Sequence, residues 1–159
     1  MRSAPRTLLL DTNLVVLLVV GMLGPQYIRS HKRLQRYDET DFAILKTLVA
    51  ASSGLVFSPH ILTETSNLLR YVDEPLRSRL SLVLMRLIDT TEERVVASRT
   101  AAQDRHFSRL GLADCVLLHL ARNDAVLLTD DLPLYLAAAS AGFDAQNFAH
   151  IQAARPDFN

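Results

Sequence analysis

Four acidic positions have the types and settings that could do chemistry. Asp11 interrupts the apolar run "TLLLDTNLVVLLVV". Glu64 lies in "SPHILTETSNLL", Asp114 in "LGLADCVLLHLA", and Asp130 with Asp131 in "AVLLTDDLPLYL". A buried carboxylate without a partner is costly, so an aspartate inside an apolar run calls for a reason. Taken singly, each has an ordinary one: Asp caps helix N-termini, negative charge is favoured there, and Glu64 reads as a solvated helix residue. Taken together they mean more. Carboxylates held close repel one another unless a cation neutralises them. An all-oxygen set favours a hard divalent ion, Mg²⁺ or Mn²⁺, which can activate water and stabilise charge on a phosphoryl group.

Such a site needs a scaffold that gathers positions spread over 120 residues. Short apolar runs predict strands at Thr7–Leu10, Leu55–Ser58, Arg94–Ala97, Ala125–Thr129 and Gln146–Phe148. Helical patterns lie between them at Leu14–Leu23, Glu39–Ala51, Pro59–Tyr71, Leu76–Asp89, Ala101–Leu110, Ala113–Asn123 and Leu132–Ala141. Phe42, Leu45, Leu48 and Val49 show the helical period, and "YDETDF" supplies acids for a first turn. The connection from Leu14 to Ala51 predicts two helices around a polar loop at Gly24–Asp38. Strand–helix alternation predicts right-handed crossovers and a mostly parallel sheet covered on both faces. Strands apolar throughout suit such a doubly covered sheet. Strand C-termini and the following helix N-termini then share one edge, and all four acidic positions fall on it.

Composition sets the bounds. The 159 residues suit a single α/β domain over 1–159, and 49% hydrophobic residues supply a core. Seventeen basic residues balance seventeen acidic ones, so an anionic partner must be met by a local patch. "MRSAPR" before an apolar stretch imitates a signal peptide, but Asp11 and Asn13 cut the stretch and no clean cleavage site follows. The uninterrupted run is far short of the roughly 20 residues that span a bilayer. No membrane span is expected, and a cytoplasmic location is. The single cysteine, Cys115, excludes an internal disulfide and fits a reducing compartment. Its apolar setting beside Asp114 disfavours a thiolate, so a buried structural role is expected.

Two basic clusters are candidates for nucleic acid. "YIRSHKRLQRY" gathers Arg29, His31, Lys32, Arg33 and Arg36 between Tyr27 and Tyr37; the second holds Arg99, Arg105, His106 and Arg109. Both are equally compatible with solvated faces. His60, His119 and His150 lack paired ligand spacing.

The order and context of "LLLDTN", "SPHILTETSNLL", "LGLADCVLLHLARNDAVLLTDD" and "GFDAQNF" resemble the PIN-domain family, above all VapC-type ribonuclease toxins. These pieces span nearly the whole chain. The most specific are "DTN" after an apolar strand and an aspartate followed, after fifteen and sixteen intervening residues, by the pair in "LLTDD". The resemblance implies a three-layer α/β/α fold and an Mg²⁺- or Mn²⁺-dependent endoribonuclease acting on single-stranded RNA. It implies that Asp11, Glu64, Asp114 and Asp131 are catalytic. Asp11, Asp114 and Asp131 would hold one or two ions, with Glu64 and Asp130 as further candidates and Glu64 as base or water holder. Thr12 or Asn13 would orient Asp11, and Thr129 the last carboxylate. The family also implies an antitoxin partner and a homodimer, for which Leu76–Ile88 or Leu134–Ala141 could supply a face if they are not ordinary core. Three other readings stay open: a housekeeping RNA-processing nuclease, a silent RNA- or protein-binding module, and a phosphatase-like acidic site. The last usually needs a D-x-D pair at the first strand, where this chain has Asp11-Thr12-Asn13.

Overall fold

The first apolar run forms strand β1, Thr7–Leu10, and Asp11 begins the helix that follows it. A computed structural model describes residues 4–157; the first three residues of the leader-like "MRSAPR" lie outside the described residues. Four more strands complete the sheet: β2 (Gly54–Phe57), β3 (Glu92–Glu93), β4 (Val126–Thr129) and β5 (Ala145–Asn147). Their order is β3-β2-β1-β4-β5, and every pairing is parallel. Leu8, Leu9 and Leu10 face Val126, Leu127 and Leu128 across the central pair.

The helices are α1 (Thr12–Leu23), α2 (Glu39–Ala51), α3 (Pro59–Leu69), α4 (Leu76–Thr90), α5 (Ser98–Ala101), α6 (Phe107–Leu110), α7 (Leu112–Ala121), α8 (Leu132–Ser140) and α9 (Phe148–Ala153). Helix α1 packs against α2, α3 and α4, while α7 packs against α5, α6 and α8. With right-handed crossovers these are the two outer layers of a three-layer α/β/α fold. Helix α1 is buried from Leu14 to Gly21, as a helix apolar on all sides must be. Gly21 is what lets α2 approach: a Cβ there would sit 2.1 Å from the Phe42 ring. Among the described residues no helix is long and apolar enough to cross a membrane.

Several boundaries differ from expectation, each for a local reason. Helix α1 starts at Thr12, two residues early, because Asp11 accepts from Leu14 N and acts as its N-cap. Strand β2 ends at Phe57 because Ser58 caps α3. That also shortens the third strand. It lies at Glu92–Glu93, not Arg94–Ala97, since β2 offers no partner beyond Phe57, whose carbonyl accepts from Arg94 N. The helix expected over Ala101–Leu110 is broken into α5 and α6. Asp104 accepts from His106 N, an Asx turn that competes with the helical ladder. Asn147 likewise caps α9, a helix the sequence reading missed, so β5 stops before Phe148.

The loop at residues 24–38 is more than a solvated connection. It carries 3-10 turns at Pro25–Tyr27 and Lys32–Leu34 and buries Ile28, His31, Leu34 and Tyr37. The two expected dimer faces are mixed: α4 buries Leu80, Leu84 and Leu87 but exposes Leu82 and Met85, and α8 buries Leu134 but exposes Leu136.

Candidate active site

The chain reverses direction through the sheet between β1 and β4, and in open α/β sheets the crevice beyond such a switch is where ligands bind. There a cavity of about 310 Å³ opens, and Asp11, Glu64, Asp114 and Asp131 all line it. They come from four elements. Asp11 ends β1, Glu64 lies in the second turn of α3, Asp114 in the first turn of α7, and Asp131 caps α8.

Asp11 is the deepest, only 5% exposed. Its Oδ1 accepts from Leu14 N at 3.1 Å. Its Oδ2 accepts from the Thr129 hydroxyl and from Asp130 N at 3.0 Å. Burial, and then the charge of Asp130, push its carboxyl far above the usual carboxylate range, against the pull of those hydrogen bonds.

Asp114 is half-buried and accepts no hydrogen bond among the described residues. Burial, then Asp131, then Glu64 raise its pKa to about 7. Glu64 is exposed, and its Oε2 accepts from Thr12 Oγ1 at 2.8 Å. Asp131 Oδ1 accepts from Leu134 N at 2.9 Å, so this carboxylate is both cap and cavity wall.

The orienting residues are distributed differently from expectation. Thr12 serves Glu64 rather than Asp11. Thr129 serves Asp11 rather than the last carboxylate, while its oxygen also accepts from Asp131 N at 3.0 Å. Asn13 lines the cavity. Asp130 does not. It is buried, pairs with the Arg36 guanidinium through Oδ2, and its Oδ1 has no partner among the described residues.

The first basic cluster is likewise divided. Arg33 is the only basic residue in the cavity lining among the described residues. Arg36 turns to Asp130 and stacks over Tyr37 at 5.4 Å. Arg29 and Lys32 are exposed outside the lining. His31 is buried, and its Nδ1 accepts from Arg33 N at 3.2 Å, capping the 3-10 turn that carries Arg33. From the second cluster, Arg105 and His106 line a separate cavity against α7 and α8, so that cluster is not brought to the acidic site. Cys115 is buried, and burial pushes its thiol up, as a structural cysteine requires.

Two lining residues escaped the sequence reading, Asn67 and Leu68. The signal was available for Asn67, three residues beyond Glu64 and on the same face of α3.

The donor set fits a hard divalent cation in its chemistry: all oxygen, with Asp114 unpartnered and burdened by two neighbouring negative charges. Among the described residues no three His, Cys, Asp or Glu side chains already meet at one point. The chain matches no family model and no curated relative.

Proposed function

We propose that this chain is a metal-dependent endoribonuclease of the PIN-domain kind that hydrolyses phosphodiester bonds in single-stranded RNA. One observation carries the reading: carboxylates from β1, α3, α7 and α8 converge on one cavity at the switch point of a parallel sheet. Asp11, Asp114 and Asp131 would hold Mg²⁺ or Mn²⁺, with Glu64 as a further ligand. When bound, the ion supplies charge stabilisation on the phosphoryl group and lowers the pKa of coordinated water.

The chain's own groups have separable tasks. Asp11 is fixed by three donors and forms the floor. Glu64, with Oε2 held by Thr12, offers Oε1 to take a proton from the attacking water. Arg33, at the rim, holds an RNA phosphate against an otherwise acidic lining. The role of toxin in a toxin–antitoxin pair, with an antitoxin covering the cavity and a homodimer as the working form, rests on the motif resemblance.

The test is incubation of the protein with labelled single-stranded RNA in Mg²⁺, in Mn²⁺ and in EDTA, with Asp11→Asn in parallel. Cleavage that needs the metal and vanishes in Asp11→Asn is expected. Cleavage of equal strength by both proteins would return Asp11 to the role of helix cap. A folded wild type that binds RNA and cuts none would make the chain a binding module.

A further inference from the structure

Glu64 is a wall shared by two cavities. On one side lies the acidic site; on the other a slot of about 370 Å³ is lined by Pro59, His60, Thr63, Leu112 and Ala113. The slot lies between the first turns of α3 and α7. Its surface is mostly apolar, and Glu64, its only charged residue among the described residues, is tied to Thr12. The His60 ring is held by a 2.9 Å bond between Nε2 and Ser98 Oγ.

The geometry points to a nucleobase site: the slot takes the base of the nucleotide next to the phosphate that sits in the acidic cavity. The inference rests on the ribonuclease reading. Because the two cavities share Glu64, one ligand can span both, with a charged backbone in the acidic cavity and a neutral group in the mostly apolar one. A polynucleotide alternates these two chemistries along its length. A base offers flat apolar faces to Pro59, Leu112 and Ala113 and can stack on the fixed His60 ring, as bases do on aromatic side chains. The volume lies within the roughly 300–1,000 Å³ of ordinary ligand pockets.

The test uses a fluorescent single-stranded RNA octamer and a set of octamers with one abasic position each. Binding is read by anisotropy in Ca²⁺ and cleavage by gel in Mg²⁺. Thr63→Leu fills the slot from an exposed helical position where leucine is tolerated, and Ala113→Leu fills it from the opposite wall. One abasic position next to the cut is expected to weaken wild-type binding about tenfold. The same position should have no further effect in either filled variant. Cleavage by wild type with no such position, or an abasic effect that survives both variants, overturns the slot and leaves the nuclease standing. Binding that depends on the slot without any cleavage upholds the slot and overturns the nuclease. Absence of both binding and cleavage overturns both. A change of oligomeric state in the filled variants, with RNA binding unaltered, makes the slot a contact between copies and overturns the base site.

Discussion

The Thr129 hydroxyl donates to Asp11 Oδ2 and accepts from Asp131 N, so one side chain joins the end of β1 to the start of α8. Two cavity walls are thereby held in register by an oxygen that does not itself line the cavity.

Replacing Thr129 by Val removes that oxygen while keeping the shape. Asp11 Oδ2 then keeps only the donor at Asp130 N, and a buried carboxyl group loses a hydrogen-bond donor. A loss of about 1–3 kcal/mol of stability is expected. Thr129→Ser should restore most of it, and RNA cleavage should follow the same order. Thermal unfolding and the cleavage rate of the three proteins check this. A Val variant as stable and active as wild type would remove Thr129 from the site.

Asp114 gives the second prediction, and its sign is opposite to that of an ordinary surface acid. Its folded pKa is about 7 against an ordinary 3.8, so folding favours the protonated form. Its contribution to stability is best below pH 3.8, declines as pH rises towards 7, and is fully lost above that. Asp114→Asn therefore unfolds at a higher temperature than wild type at pH 8 without metal, by a few degrees, and gains little at pH 4. Added Mg²⁺ should raise the wild-type midpoint at pH 8 and leave the variant nearly unmoved. Melting curves at both pH values, with Mg²⁺ and with EDTA, check both statements; identical curves would mean that the carboxylate is neither strained nor a ligand.

The convergence of Asp11, Glu64, Asp114 and Asp131 was legible because sheet topology alone puts strand ends and helix starts on one edge. The reach of individual side chains was not. Thr12 and Thr129 do not meet their expected partners because each bonds across the fold, to residues 52 and 118 positions away, where no local pattern operates. Arg36 looked like its neighbour Arg33 in the sequence, yet only the three-dimensional position of Asp130 withdraws it. Helix α9 escaped because six residues carry too little periodicity, and the break between α5 and α6 depends on one Asp104 side chain.

Arg155 ties the segment after α9 to the start of α2. Its guanidinium bonds Asp38, Asp41 and Asp157, and Gln152 Nε2 adds a bond to Asp41. Asp41 is 1% exposed, so removal of Arg155 leaves a buried charge uncompensated. Arg155→Met is expected to unfold at a lower urea concentration than wild type near neutral pH. Arg155 also holds the Asp38 carboxyl below its ordinary 3.8. A depressed folded value means stability present above 3.8 and lost as pH falls below it. The gap between wild type and variant, followed by urea unfolding from pH 7 to pH 2.5, should therefore narrow below pH 4. A gap independent of pH would deny the ion pairs their role.

Gly21 tests the packing beneath the site. An alanine methyl would meet the Phe42 ring far inside contact distance, so α1 and α2 must separate or the ring must turn. Gly21→Ala should lose about 1–3 kcal/mol despite the better helix propensity of alanine. Phe42→Leu in the same chain should recover part of that, giving a favourable coupling in a double-mutant cycle read by urea unfolding. Additive losses would show that the ring is not the obstacle.

Arg33 and Arg36 lie three residues apart in different surroundings. Arg33 is exposed on the cavity rim; Arg36 is the partner of Asp130, whose side chain is 2% exposed. Arg33→Met should leave stability within about 0.5 kcal/mol. It should weaken RNA binding and lower the steepness of its salt dependence by about 0.7 in a log–log plot, the loss of one phosphate contact to a single strand. Arg36→Met should do the reverse. The Arg36 side chain is 57% exposed, so solvent screens the pair and the loss is about 1–3 kcal/mol, below that of a fully buried pair. The salt slope of RNA binding should stay as in wild type. Urea unfolding and RNA anisotropy at a series of salt concentrations separate the two roles. If both variants lost RNA binding equally with stability intact, Arg36 would leave Asp130 to meet the RNA, and the division of the cluster would fail.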